Sequence, residues 1–198
     1  MKNLLPVLAL GLLSAVLTAQ SNTNEKAPKA SSTLEFAEGG TLTVSYKSFT
    51  LAEGKTLKTL MDKENPRAER MREFYNSQYL PQMLHGHLEL GAGMTLGSVA
   101  LEKGKYRFTF RIDKAANWSF VIYDAEMKKE IGAVAMPLEQ GEYAVSSRLL
   151  IVPLAASKGQ AGTLHVHFGN LVGNIPFRAG TVAEAGAEKN AKGEHADK

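Results

Sequence analysis

The feature that most constrains this chain is the recurrence of short segments in which apolar and polar residues alternate. In KYRFTFRI (105–112), Tyr106, Phe108, Phe110 and Ile112 share one parity and Lys105, Arg107, Thr109 and Arg111 the other. Successive side chains of a strand point to opposite faces, so this segment is predicted to be a strand with one buried and one polar face. TLEFAE (33–38) and TLTVSY (41–46) flank Gly39-Gly40, which predicts a two-residue hairpin connection, with Leu42, Val44 and Tyr46 sharing a face. In MLHGHLEL (83–90), Leu84, Gly86, Leu88 and Leu90 fall on one face, and His85, His87 and Glu89 on the other. NWSFVIYD (117–124) is apolar on both parities, as a central, covered strand is. EIGAVAMPL (130–138), SRLLIVPL (147–154), TLHVHF (163–168) and NIPFRA (174–179) complete about nine strands at short, even spacing. The fold class predicted is mainly β: an antiparallel β-sandwich with one inserted amphipathic helix.

That helix is read in NPRAERMREFYNSQYLPQ, which begins at Asn65. Asn65 suits the N-cap, Pro66 the first helical position, and Glu69 the first turn. Ala68, Met71, Phe74, Tyr75 and Gln78 recur at three- and four-residue intervals as the apolar stripe, with Arg67, Arg70 and Arg72 on other faces. Pro81 stops the run, giving a helix over 66–79 that would cover an end or edge of the sheets.

The two ends read differently from the middle. MKNLLPVLALGLLSAVLTAQS places one lysine before an apolar run from Leu4 to Leu17 and small residues around Ala19, the order of a secretory signal peptide. The run is shorter than the roughly 20 apolar residues of a membrane-spanning helix. Residues 1–19 are therefore expected to be a signal peptide, 20–32 a polar disordered leader, 33–179 one domain and 180–198 a disordered tail rich in Ala, Gly, Glu and Lys. The expected localisation is periplasmic or secreted, with no membrane span once the signal is removed.

The chain has no cysteine, which rules out disulfides, thiol nucleophiles and Cys-based metal sites. The formal charge is +3, from 23 Lys and Arg against 20 Asp and Glu; without Lys2 it is 22 − 20 = +2. The basic residues are dispersed, which is not the footprint of a nucleic-acid binder. No Gly-x-Ser-x-Gly elbow or Ser-x-x-Lys pair occurs, no phosphate loop follows a strand, and nothing selects one carboxylate pair as hydrolytic. Gly91, Gly93 and Gly97 read as a turn region between strands. An enzymatic reading thus finds no support in the motifs.

The histidines remain. Four of the five form two His-x-His pairs, His85/His87 and His165/His167, while His195 sits in the tail. Residues i and i+2 of a strand project from one face about 6.5–7 Å apart, so two imidazoles can lean onto one metal. Zinc takes three or four ligands, and neighbouring pairs would supply four, with Glu89 as a fifth ligand or a second-shell acceptor. The competing reading is that both pairs are polar faces of ordinary strands. If the pairs converge, zinc or copper is the expected cofactor; if they do not, none is expected.

LEKGKYRFTFRIDKAANWSFVIYD (101–124), with Leu101, Gly104, Tyr106 and Trp118, resembles the central hairpin of a bacterial exported family catalogued as domain-of-unknown-function family 2911. LTVSYKSF (42–49) is similar to that family's first strand and TLHVHFGNLVGNIPF (163–177) to its closing hairpin. The chain departs from the family pattern in having KSF where an Arg-Pro pair usually follows the first tyrosine. It also has HGHLEL near the place of a Trp-Arg-x-Gly-Ala-Asn stretch. The resemblance implies export and a mostly β fold, and carries over no site residues. The function expected is an exported, non-enzymatic binding or structural module of unknown ligand and unknown partners, with metal binding through the four histidines as the alternative.

Overall fold

Alternating segments with one apolar face become stable when two such faces close on each other. The computed structural model describes residues 27–37, 39–50, 56–80, 85–142, 146–156 and 160–180. The predicted signal peptide, the leader as far as residue 26, Leu84, Pro81, and the tail from 181 with His195 lie outside them. The chain forms a sandwich of two antiparallel sheets. The first runs, in spatial order, β1 (Lys29–Glu35), β2 (Thr41–Lys47), β3 (Gly86–Leu90), β6 (Gly104–Ile112), β7 (Trp118–Tyr123) and β8 (Glu130–Ala135). The second runs β10 (Ser146–Ala155), β11 (Ala161–Gly169), β12 (Leu171–Ala179), β4 (Met94–Leu96) and β5 (Val99–Leu101), with β9 (Leu138–Gln140) also pairing β12.

The inner faces meet in one core. Leu42, Val44, Leu88, Phe108, Phe110, Trp118, Phe120 and Ile122 come from the first sheet, and Leu96, Ile151, Leu164, Val166, Phe168, Ile175 and Phe177 from the second. Aromatic rings join the layers: Phe168 lies 5.3 Å from Phe110 and 5.1 Å from Trp118, centroid to centroid. The parity predicted for 105–112 and 85–90 is the parity observed. Thr109, predicted outward, is outward but buried, because its hydroxyl donates to the Leu80 carbonyl at 3.0 Å.

Several boundaries differ from the sequence reading. Strand β1 begins at Lys29, inside the stretch read as leader, since Lys29–Ser32 pair with Lys47–Val44. The first hairpin connection is wider than two residues: β1 ends at Glu35 and β2 begins at Thr41, Phe36 N–H donates to the Gly40 carbonyl, and Phe36 itself enters the core. Gly39 and Gly40 supply the positive φ this turn needs, 92° and 93°. The glycine-rich turn region contains the β4–β5 hairpin, whose three-residue strands are too short to show a period, and β9 is equally brief.

The helical segment is two pieces. A short helix α1 (Thr56–Met61) precedes α2 (Pro66–Phe74), which continues into a π-helical turn over Tyr75–Tyr79. The Asn65 side chain accepts from Arg67 N–H at 3.0 Å, the capping predicted. The buried face keeps most of the predicted stripe, with Ala68 and Tyr75 buried and Met71 and Phe74 packed against the core, but Gln78 is exposed and Arg72 is corrected from an outer to an inner position. Its guanidinium donates to the carbonyls of Leu60 (2.9 Å), Asp62 (3.0 Å) and Lys114 (2.8 Å), which is why a charged side chain can be buried there. Asn76, on the π turn, pairs with both backbone groups of Ile112 at the end of β6.

Where β1 and β2 lie against β10, the edge of the second sheet is closed by side chains and loop backbone. Leu149 N–H donates to the Phe49 carbonyl and the Ser48 hydroxyl to the Leu149 carbonyl, each at 2.8 Å. Ile151 N–H donates to Tyr46 Oη at 2.8 Å, and that hydroxyl donates back to the Ile151 carbonyl at 3.4 Å. The next residue of the same parity is Pro153, which has no N–H to leave unpaired.

Candidate functional site

His87, His165 and His167 lie on strands and His85 immediately precedes β3, and the sandwich separates the two pairs. His87 is on β3, between Gly86 and Leu88, which point into the core; His165 and His167 are on β11, between Leu164, Val166 and Phe168, which point into the same core from the other side. Each pair therefore projects from the outer face of its own sheet, away from the other. The four imidazoles are not brought together, and the Glu89 carboxylate lies 3.6 Å from Lys105 Nζ instead. Among the described residues no three His, Asp or Glu side chains gather into a group that could hold a metal ion.

The first pair belongs to a basic surface. His87 stands opposite Ser45 on β2 and Arg107 on β6. Arg107 Nη1 is 2.8 Å from His87 Nε2. A guanidinium only donates, so Nε2 accepts, and the neutral ring carries its proton on Nδ1. Partial burial, then the charges of Arg107, His85 and Lys29, hold the His87 pKa below its ordinary value. One rung along, Lys29 stands directly opposite Lys47, a like-charge pair that costs stability unless something negative lies over it. Neither lysine has an ion pair among the described residues. Lys29, Ala30, Ser45, Tyr46, Lys47, His85 and His87 line a depression of about 370 Å³, and no acidic side chain is among them.

The second pair sits in neutral surroundings. His165 is flanked by Val152 and Asn174, and His167 by Leu150 and Val172. The two rings lie 6.3 Å apart between centroids and 21° from parallel. His167 Nδ1 is buried without a hydrogen-bond partner, and burial, followed by the nearness of His165, holds its pKa below the ordinary value. A third feature is a cleft of about 460 Å³ at one end of the sandwich, where Leu57, Lys58, Met61 and Asp62 face Gln140, Asn170 and Leu171.

Sequence reasoning found the histidines and missed Lys29, Lys47 and Arg107 as their company. The parity of Lys47 and Arg107 was readable; that three strands align them beside His87 is a matter of register, which a single sequence does not display. No family model, curated protein or solved structure matches this chain.

Proposed function

We propose that this chain is an exported, non-enzymatic binding module that holds a small polyanion on the outer face of its first sheet. The observation that carries the reading is the depression lined by Lys29, Lys47, His85 and His87, with Arg107 beside it and no carboxylate in its wall. Two lysines held opposite each other by strand register are a standing repulsion that an anion would relieve. The volume falls within the roughly 300–1,000 Å³ of small-molecule sites, which favours a polycarboxylate or a phosphorylated sugar over a lone inorganic ion.

Binding is favoured over catalysis by the state of His87. Its Nε2 lone pair is taken by Arg107, so it is not poised to accept a proton from Ser45, whose hydroxyl pairs with that of Ser31 at 2.9 Å. Export rests on the charged, apolar and small-residue order of residues 1–19.

The test is calorimetric titration with citrate and with inorganic phosphate at low and high ionic strength. Citrate is expected to bind with one-to-one stoichiometry, more tightly than phosphate, and to weaken as salt screens the lysines. The Lys29→Gln, Lys47→Gln double variant is expected to lose the interaction. Citrate binding of equal strength to wild type and double variant, or none to wild type, overturns the reading.

A further inference from the structure

We propose that His165 and His167 form a two-imidazole site for a divalent first-row cation, copper(II) foremost, on the outer face of the second sheet. This site is separate from the basic depression and does not rest on the reading given above.

The two His-x-His pairs are identical as motifs and opposite in chemistry. At the first pair a guanidinium occupies the His87 lone pair, and Lys29 adds a second positive charge, so an incoming cation meets repulsion and a blocked ligand. At the second pair the cross-strand neighbours are Leu150, Val152, Val172 and Asn174, and none of them carries charge. A neutral imidazole is the metal-binding form, and burial among these side chains disfavours the charged ring of His167. His167 Nδ1 lacks any donor in the protein. A buried ring nitrogen without a partner is uncommon, and with the ring proton on Nε2 it offers a free lone pair that a Lewis acid can take.

The geometry suits one shared ion. The histidines lie in the middle of β11, paired on one side by β10 and on the other by β12, so their backbone is fixed. The rings face each other at 6.3 Å and 21°. Metal–nitrogen bonds run about 2.0–2.1 Å, so turning the rings about their side-chain bonds can bring one nitrogen from each onto a single ion. Two protein ligands are fewer than the three or four of zinc sites. They are enough for the tetragonal coordination of copper(II) or nickel(II), with water in the remaining positions, and copper(II) leads the affinity order of such sites. Each imidazole ligates through a nitrogen lone pair and displaces a water from the ion, so no covalent bond of the chain changes.

The test uses the full chain in a His195→Ala background, which removes the tail imidazole. It is titrated with copper(II) chloride near neutral pH and followed by calorimetry and electron paramagnetic resonance. The expected result is about one equivalent bound, with a spectrum showing two equatorial nitrogens. His165→Ala and His167→Ala should each weaken binding by about tenfold or more and reduce the nitrogen count. The His85→Ala, His87→Ala double variant should bind like the parent. His165→Asn and His167→Asn, which keep a planar polar group on the strand, serve in place of either alanine variant that fails to melt cooperatively. Copper binding that survives loss of His165 and His167, binding that disappears with His85 and His87, or no saturation below roughly 1 mM overturns the proposal.

Discussion

Replacing Tyr46 with Phe removes one oxygen and leaves the ring in the core. Tyr46 is 5 % exposed and Ile151 is 0 % exposed, so the Ile151 N–H that loses its 2.8 Å acceptor is not reached by bulk water. Leaving a buried donor unsatisfied costs about 1–3 kcal/mol, whereas the return bond at 3.4 Å is too long to add much. The expected loss is therefore about 1–3 kcal/mol, or a Tm lower by about 2–4 °C for each kcal/mol in a domain of this size. The control is Tyr106→Phe, whose hydroxyl donates to the Glu102 carbonyl at 2.9 Å in an exposed position. Water replaces that bond, so the control should stay within about 0.5 kcal/mol of wild type. Urea unfolding measures both, with an unchanged m-value showing that only stability moved. If the two variants prove equally stable, the idea that the Tyr46 hydroxyl satisfies the β10 edge is wrong.

Further outcomes follow from the same structure. Gly86→Ala would put a Cβ onto ring atoms Cζ and Cε1 of Phe108 and 2.8 Å from the Ser45 carbonyl. Phe108 is stacked on Phe120 at 4.6 Å and cannot simply swing away, so thermal melts should show a loss of about 1–3 kcal/mol. His87 and His167 have folded pKa values below 6.5, so the unfolded chain takes up protons first as pH falls. Stability should hold above pH 6.5 and decline as pH falls below it, and His167→Gln should flatten that decline in pH-dependent unfolding. Burial, followed by the neighbouring Tyr79, pushes Tyr75 up to about 12 from 10.0. Its contribution is complete below pH 10 and is lost as pH rises from there toward 12, so Tyr75→Phe should resist alkaline unfolding better than wild type.

Much of the architecture was legible because a period of two is a local property. Tyr106 to Ile112 declared their inward and outward faces without reference to any other strand, as did the residues around both histidine pairs. What failed was non-local or too short. Lys29–Ser32 is strand because Val44, Ser45, Tyr46 and Lys47 stand beside it, yet KASS itself carries no apolar alternation. Arg72 looked outward because charge usually is; its burial depends on carbonyls that folding brings from three places. His87, His165 and His167 lie on faces turned away from the core, although the face around the second pair is made largely of Leu150, Val152 and Val172; which sheet each face belongs to is set by topology, and topology keeps the pairs apart.

Arg72 also bears on how the molecule opens. The carbonyls it holds come from α1, from the link between the two helices, and from the turn joining β6 to β7. None of these segments can detach without stripping carbonyls from a buried cation, so their openings are coupled and the helical segment opens together with the end of β6 on which it packs. Leu57, Lys58 and Met61 of α1 form one wall of the cleft facing Gln140, Asn170 and Leu171. The amides of that wall should therefore exchange as slowly as those of the strands rather than at the fast rate of a surface helix of six residues, and the cleft should persist as long as the fold does.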